Sequence, residues 1–410
     1  MKWKNNKLSE ISRIGDGAHA SLKRSDFGIP YLTAKNITKS GIDYTNMNYI
    51  SEETYNKHFK EKSNALTQPK KADILYSIIG SIGGVYVVRD GKIGISSSVA
   101  IFRADIDKVI PQYLAYFLKS SFFDAQIQAI KGGVAQGFMS LGKLGSVNIS
   151  YPDDIEYQKR IVSILSAYDT LIENNQKQIK LLEEAAQRLY KEWFVDLRFP
   201  GYEDVKIVDG VPEGWSRKQI SDVCFRINAG GTPSRSKTDY WNNPSVKWYK
   251  TGELQDCWLI DSEEYISEDG LKNSSAKVFP KHTIIMAIYA SPTLGRLGIL
   301  SSEAACNQAA LCLIANEEDV SWQWLYHKLY ELRDEFNTVA KGAGQQNISA
   351  DVVKKKEIIV PSTDIMKQFT GVVSKLFEKR FILQSQSLKL GEARDRLLPK
   401  LMNGEIEIRD

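Results

Sequence analysis

The chain repeats one order of residues at a spacing of about 210, close to half its length, and such self-similarity sets the plan of the fold before any local pattern is read. Each half opens on Trp and a short polar-apolar stretch, Trp3-Lys4-Asn5-Asn6-Lys7-Leu8-Ser9-Glu10-Ile11 and Trp215-Ser216-Arg217-Lys218-Gln219-Ile220-Ser221-Asp222-Val223. Each later passes through Lys-Gly, a Gly/Gln-rich turn and a Ser to a strand-like run ending in Pro. In the first half these are Lys131, Gln136, Ser140 and Pro152; in the second, Lys341, Gln345, Ser349 and Pro361. Asp-Ile follows, with a Gln four residues after the Asp (Gln158, Gln368), and then a long helical pattern. The order is domain, long helix, domain, long helix. Two similar but non-identical domains on two helices fit a protein that reads two different things a fixed distance apart.

The first helical stretch, 154–198, places Ile161, Leu165, Tyr168, Ile172, Asn175, Ile179, Leu182, Ala186, Leu189 and Trp193 at alternating spacings of four and three, a heptad seam of about five repeats. A helix of about 40 residues is about 60 Å long and needs a partner to bury its stripe. Asn175 on the seam either fixes the register or marks the end of one helical segment. The second stretch carries Phe369, Leu376, Leu383, Leu390 and Leu397 at strict sevens, with Val372 and Ala393 as the apolar members of the complementary set. Gly391 lowers local helicity by about 1 kcal/mol relative to Ala, and Pro399 is expected to end or kink the helix near Leu398. The simplest partner for one helix is the other, and a whole domain between them favours an antiparallel pair. The competing arrangement packs each helix on its own domain.

Each domain reads as α+β with irregular, loop-rich sheets. Residues 1–153 offer strands at 29–33, 74–78, 84–88, 99–102 and 147–150, a hairpin signal at Asp90-Gly91 and a helix at 111–118 opened by Pro111. Residues 199–361, comprising a linker and the second domain, offer strands at 246–249, 283–287, 297–300, 310–314 and 357–360 and a helix around 322–326. Residues 362–410 hold the second helix and a tail.

The net charge is +4, but it is unevenly spread: about +7 over 1–153, −1 over the first helix, −4 over 199–361 and +2 over the tail. A basic first domain fits a DNA-backbone footprint, with ordinary solvated surface as the bland alternative. The four cysteines, Cys224, Cys257, Cys306 and Cys312, form no Cys-x-x-Cys pair, which favours reduced thiols in the cytoplasm. The four histidines share no metal-ligand spacing. No apolar run approaches the roughly 20 residues of a membrane helix, and the opening Met-Lys-Trp-Lys lacks a signal-peptide core.

No catalytic constellation is present in the sequence: there is no Walker loop and no Asp/Asn-Pro-Pro-aromatic motif of amino-methyltransferases. Polar loops suited to phosphates and base edges recur instead. Lys23 and Arg24 end one loop; Thr232, Ser234, Arg235 and Lys237 lie in its counterpart, where Gly230-Gly231 allow close backbone approach. Lys35-Asn36 corresponds to Thr251-Gly252-Glu253; Asn can bridge adenine N6 and N7, and Glu can accept from cytosine N4. Ser77 and Ser81 correspond to Tyr289, Ser291 and Arg296, and Gln136 to Gln345 and Asn347. At each single position a turn or cap role competes with a base contact.

In this order the pieces resemble the specificity subunit of type I restriction–modification systems. The resemblance rests on Gly214-Trp215, Gly230-Gly231-Thr232-Pro233-Ser234, Tyr240-Trp241, Tyr265-Ile266-Ser267, Gly270-Leu271 and Cys306-Asn307-Gln308-Ala309. It rests also on Leu189-Tyr190-Lys191-Glu192-Trp193-Phe194 and on Leu397-Leu398-Pro399-Lys400-Leu401-Met402-Asn403-Gly404. The first domain departs from the pattern, with Ser96-Ser97-Ser98 in place of the Asn-Gln element. The resemblance implies a non-catalytic DNA-recognition subunit: two target recognition domains, each reading one half of a bipartite, asymmetric sequence in double-stranded DNA. Two modification subunits that use S-adenosylmethionine, and two restriction subunits that use ATP and Mg, would join it, with no membrane involved. A self-contained DNA enzyme and a coiled-coil scaffold with protein-binding domains are the alternatives.

Overall fold

The computed structural model describes residues 2–38, 41–44, 47–61, 65–80, 82–131, 138–289, 293–342 and 347–408. The chain forms two compact units, Met1–Ile172 with Lys389–Asp410, and Glu173–Leu388. Both divisions fall inside long helices.

Val99–Ala104 is the organising strand of the first unit. It pairs antiparallel with Ser12–Asp16 on one side and Ile74–Ser77 on the other, and Val85–Val87 lies at the edge beyond. Its residues alternate between two cores, as the two-residue period of a strand requires. Ala100 and Phe102 join the core built with the helix Pro111–Leu118, while Val99 and Ile101 join a core with Tyr31, Ile50 and Ile95. Those three come from a smaller sheet, Asn48–Ile50, Ile29–Leu32 and Gly94–Ile95, antiparallel on one side and parallel on the other. The hairpin expected at Asp90-Gly91 is not formed. Val85–Val87 pairs back onto Ile74–Ser77, and the bend at Gly91, with φ of 111°, sends the chain into the smaller sheet at Gly94. The local turn chemistry was sound, but the adjoining strand found its partner elsewhere.

The second unit repeats this plan. Cys224–Ala229, Ala310–Ala315, Ile284–Ala287 and Leu297–Leu300 follow the same order, and Cys257–Leu259 adds a fifth, parallel strand. Val246–Tyr249 sits between Glu264–Ile266 and Ala305–Cys306 with the same mixed pairing. The Trp-led openings also match: Trp3–Lys7 pairs with Asn148–Pro152, and Ser216–Gln219 with Glu357–Val360.

The first long helix runs unbroken over Ile155–Tyr190 and ends in a π-helical turn, Lys191–Val195. Asn175 lies within it at 7% exposure, so it does not end a segment. The second long helix, Thr363–Met402, contains Pro399 and continues past it, contrary to the expected stop. Proline there removes one N–H, but Asn403 still donates to the Pro399 carbonyl at 3.0 Å, and burial of Leu398, Leu401 and Met402 in the first unit's core holds the last turn.

In each unit the two helices run antiparallel. Asp169 pairs with Arg394 at 2.6 Å in the first unit. In the second, Glu183 pairs with Arg380, and Tyr190 and Phe194 meet Phe369. The strict sevens capture only part of the second helix. Val372 is half exposed, whereas Val373 and Phe377 are buried against the domain core with Trp322 and Tyr326. This helix therefore serves its domain as well as its helical partner. The repeated Gln also diverges: Gln158 is fully buried, holding Ile110 N, Lys108 O and Pro152 O at 2.9 Å, whereas Gln368 is exposed.

Candidate nucleic-acid interface

The recurrent loops are rooted in the same way in both units. Ala18 N donates to Ile95 O at 2.9 Å, and Gly231 N donates to Cys306 O at 2.9 Å. A Cβ on Gly17 would fall 2.1 Å from Ile95 O; one on Gly230 would fall 2.3 Å from Cys306 O, and one on Gly231 2.1 Å from Ser275 O. The glycines are thus required by the protein's own main chain, before any ligand is considered.

Beyond this root, the second unit's loop lies over the small sheet. Trp248 Nε1 donates to Gly231 O at 2.9 Å. The Thr232 hydroxyl donates to Gln308 Oε1. Ser234 and Ser236 share a 2.8 Å hydrogen bond. The Arg235 guanidinium sits 3.6 Å from the centre of the Trp241 ring and pairs with Glu264 at 2.5 Å. Lys250 reaches the same carboxylate at 2.9 Å and Glu263 at 3.0 Å. These hydrogen bonds, Arg235's first among them, hold the Glu264 carboxyl below its ordinary range. Lys237 donates to the Tyr240 hydroxyl at 2.9 Å, on the wall of an open groove shared with Asp239, Asp269 and Asn273.

Thr251 and Glu253 occupy a single 3-10 turn. Glu253 accepts from Lys250 N at 2.8 Å and from Glu263 N at 2.9 Å, so both carboxylate oxygens serve the main chain. Burial pushes its carboxyl up. Asn36 holds the matching place in the first unit: buried, its Oδ1 accepts from Thr33 N at 2.9 Å and its amide donates to Asp43 O. Both side chains expected at base edges act here as helix-turn caps. Ser77 is likewise fully buried and accepts from Gly84 N at 2.8 Å.

Lys23, Arg24 and Lys35 are exposed, and the Arg24 guanidinium lies 4.0 Å from the centre of the Tyr31 ring. A second meeting point is an isolated bridge that joins Tyr289 to Asn347, matched by Ile79 with Phe138 in the first unit. Tyr289 and Asn347 are exposed there, as is Phe138. Arg296 turns to Gln255 at 3.3 Å. Ser81, Gln136, Ser291 and Gln345 lie outside the described residues. The sequence reading did not assign Gln308, Trp241, Lys250 or Glu264 to the site, although all four fix the second loop. Trp241 and Gln308 carried a signal as motif residues, in Tyr240-Trp241 and Asn307-Gln308; Lys250 and Glu264 carried none.

No helix among the described residues is long and apolar enough to cross a membrane. Comparison with known proteins gives a consistent result. The family model described as the type I restriction modification DNA specificity domain matches twice, over residues 1–184 and 212–389. The chain is 27% identical to the type I restriction enzyme MjaIX specificity subunit of Methanocaldococcus jannaschii, covering 100% of this chain and 94% of that protein. It is 26% identical to the HindI specificity subunit of Haemophilus influenzae, covering 82% and 87%. Among solved structures, the type I restriction–modification S subunit from M. genitalium superposes with a TM-score of 0.57 at 15% identity, covering 98% of this chain and 96% of that one, which is a likeness of fold. With the family model covering most of both repeats, the chain belongs to the type I restriction–modification DNA specificity subunits.

Proposed function

We propose that each domain reads one half of a bipartite, asymmetric DNA sequence, and that the long helices set the gap and dock the modification and restriction subunits. The observation that carries this reading is the pairing of one topology with two different loop chemistries. The main sheets share four strands in the same order, while the loops rooted on them present Lys23 and Arg24 in one case and Thr232 to Lys237 in the other. A shared scaffold with divergent polar loops suits two different targets.

On this reading the exposed Lys23, Arg24, Lys35, Ser234, Lys237, Tyr289 and Asn347 face DNA. Asn36, Ser77 and Glu253 shape the loops that present them. S-adenosylmethionine, ATP and Mg belong to the partner subunits, two of each kind, and the complex works in the cytoplasm.

The test is to map methylated adenines in DNA modified by the complex, before and after residues 1–153 are exchanged for another such domain. One half of the target should change and the other should stay. A change in both halves, or in neither, would overturn the modular reading.

A further inference from the structure

The two domains carry an arginine at equivalent places but surround it with opposite charge environments. Tyr31 and Trp248 hold the same position in the small sheets: Tyr31 pairs with Asn48 and Gly94, and Trp248 with Glu264 and Ala305. Arg24 lies over the Tyr31 ring at 4.0 Å, and Arg235 lies 5.3 Å from the Trp248 ring and 3.6 Å from Trp241. Around Arg235 stand Glu264, Glu263 and Lys250, joined in one ion-paired group. The pairing register puts Asn48, Met47 and Thr33 at the corresponding places in the first domain. Among the described residues Arg24 has no carboxylate partner.

We propose that Glu264 masks Arg235 and Lys250 from DNA phosphates, while Arg24, with Asn48 in the masking position, is an open phosphate contact. This rests on the DNA-reading role proposed above and adds how the two domains divide the work.

An arginine stacked on an aromatic ring is held in orientation but keeps its charge. Whether that charge reaches phosphate depends on what else it neutralises. In the second domain one carboxylate engages both cations, and a phosphate must displace it; in the first domain no carboxylate among the described residues stands in the way. Phosphate contacts raise affinity for any sequence, whereas base contacts discriminate. The masked domain therefore leans on discrimination and the open one on affinity. The difference in charge between residues 1–153 and 199–361, about +7 against −4, runs in the same direction.

The experiment measures DNA affinity against salt for the chain assembled with its modification subunits. Glu264→Gln removes the mask's charge while keeping an acceptor for Arg235. Asn48→Glu installs a mask beside Tyr31. For DNA with or without the target, Glu264→Gln should steepen the slope of log affinity against log salt by about 1, and Asn48→Glu should flatten it by about 1. The affinity advantage of Glu264→Gln over wild type should shrink about fourfold between 50 and 200 mM salt. Unfolding midpoints establish that each variant is folded; should Glu264→Gln not fold, Asn48→Glu alone decides. Unchanged slopes in folded variants, with the wild-type complex still preferring its target, would overturn the masking alone. A wild-type complex with no preference among sequences would overturn the DNA-reading role, and the masking with it.

Discussion

Arg380 holds Glu183 at 2.5 Å between the two long helices of the second unit, with the arginine side chain only 1% exposed. The same guanidinium donates to Asp256 O at 3.0 Å, and Asp256 is in turn held by Arg333. Burial pushes the Glu183 carboxyl up, against the pull of Arg380. Removing one partner leaves a charge in a dry place, which is costlier than removing both. Glu183→Ala should therefore destabilise the chain by about 3 kcal/mol. Glu183→Leu with Arg380→Met should recover most of that loss. Denaturant titration decides it, and a single variant as stable as wild type would contradict the account.

His327 gives the second unit a pH dependence. It is buried against Tyr190 and Phe377, and burial, with a smaller push from Arg380, lowers its pKa from 6.5 to about 3. Above pH 6.5 the imidazole is neutral in both folded and unfolded chains, and its contribution is complete. Between pH 6.5 and 3 the unfolded chain takes up a proton that the folded one refuses. Stability should fall by about 1 kcal/mol per pH unit across that window. His327→Phe should flatten that part of the profile, measured by denaturation between pH 7.5 and 4.5.

Gly17 and Gly230 cannot gain a side chain without moving main chain. Gly17→Ala and Gly230→Ala should each cost about 1–3 kcal/mol and disturb recognition only through their own domain. Methylation mapping with the variant complexes reads this directly: loss of preference at both halves from one substitution would contradict it.

Helical glycines in open space should behave oppositely. A Cβ on Gly371 or Gly391 meets nothing within 4 Å, and both lie inside the second long helix. Gly371→Ala and Gly391→Ala should each stabilise by up to about 1 kcal/mol, seen as a higher unfolding midpoint.

Inserting one heptad into the first long helix, with a matching heptad in the second, lengthens each by about 10.5 Å, or about three base pairs. The gap between the methylated half-sites should widen accordingly. An unchanged gap would remove the helices from that role.

How much of this was legible depended on how local each signal was. The runs at 74–78 and 310–314 announced central strands because both their faces are buried, and Pro111 marked a helix start correctly. Ser12–Asp16, largely polar, and Cys224–Ala229, half-buried and irregular in register at its start, gave no such sign, and their partners lie far along the chain. Asn36 and Glu253 read as base contacts or turn caps, and each lies three residues after the main-chain N–H it caps, a spacing that is itself a cap signal. The Arg235 cluster was out of reach: Trp241 and Glu264 come from different elements, and only the folded sheet brings them beside one arginine. The first helix's seam was plain in the sequence. The second's was blurred because Val373 and Phe377 answer to the domain core.

The way the loops are rooted bears on how such a protein can change. Ala18 to Ile95 and Gly231 to Cys306 are main-chain hydrogen bonds, so the anchor of each loop is indifferent to the side chains it carries beyond that point. This anchor survives replacement of residues at the tip, provided the glycine at the root stays; in the second unit the side-chain partners of Thr232 and Arg235, Gln308 and Glu264, must change with them. On the DNA-reading role proposed above, a new target then calls for changes at a few exposed positions, while the sheets and helices beneath inherit no burden from the change.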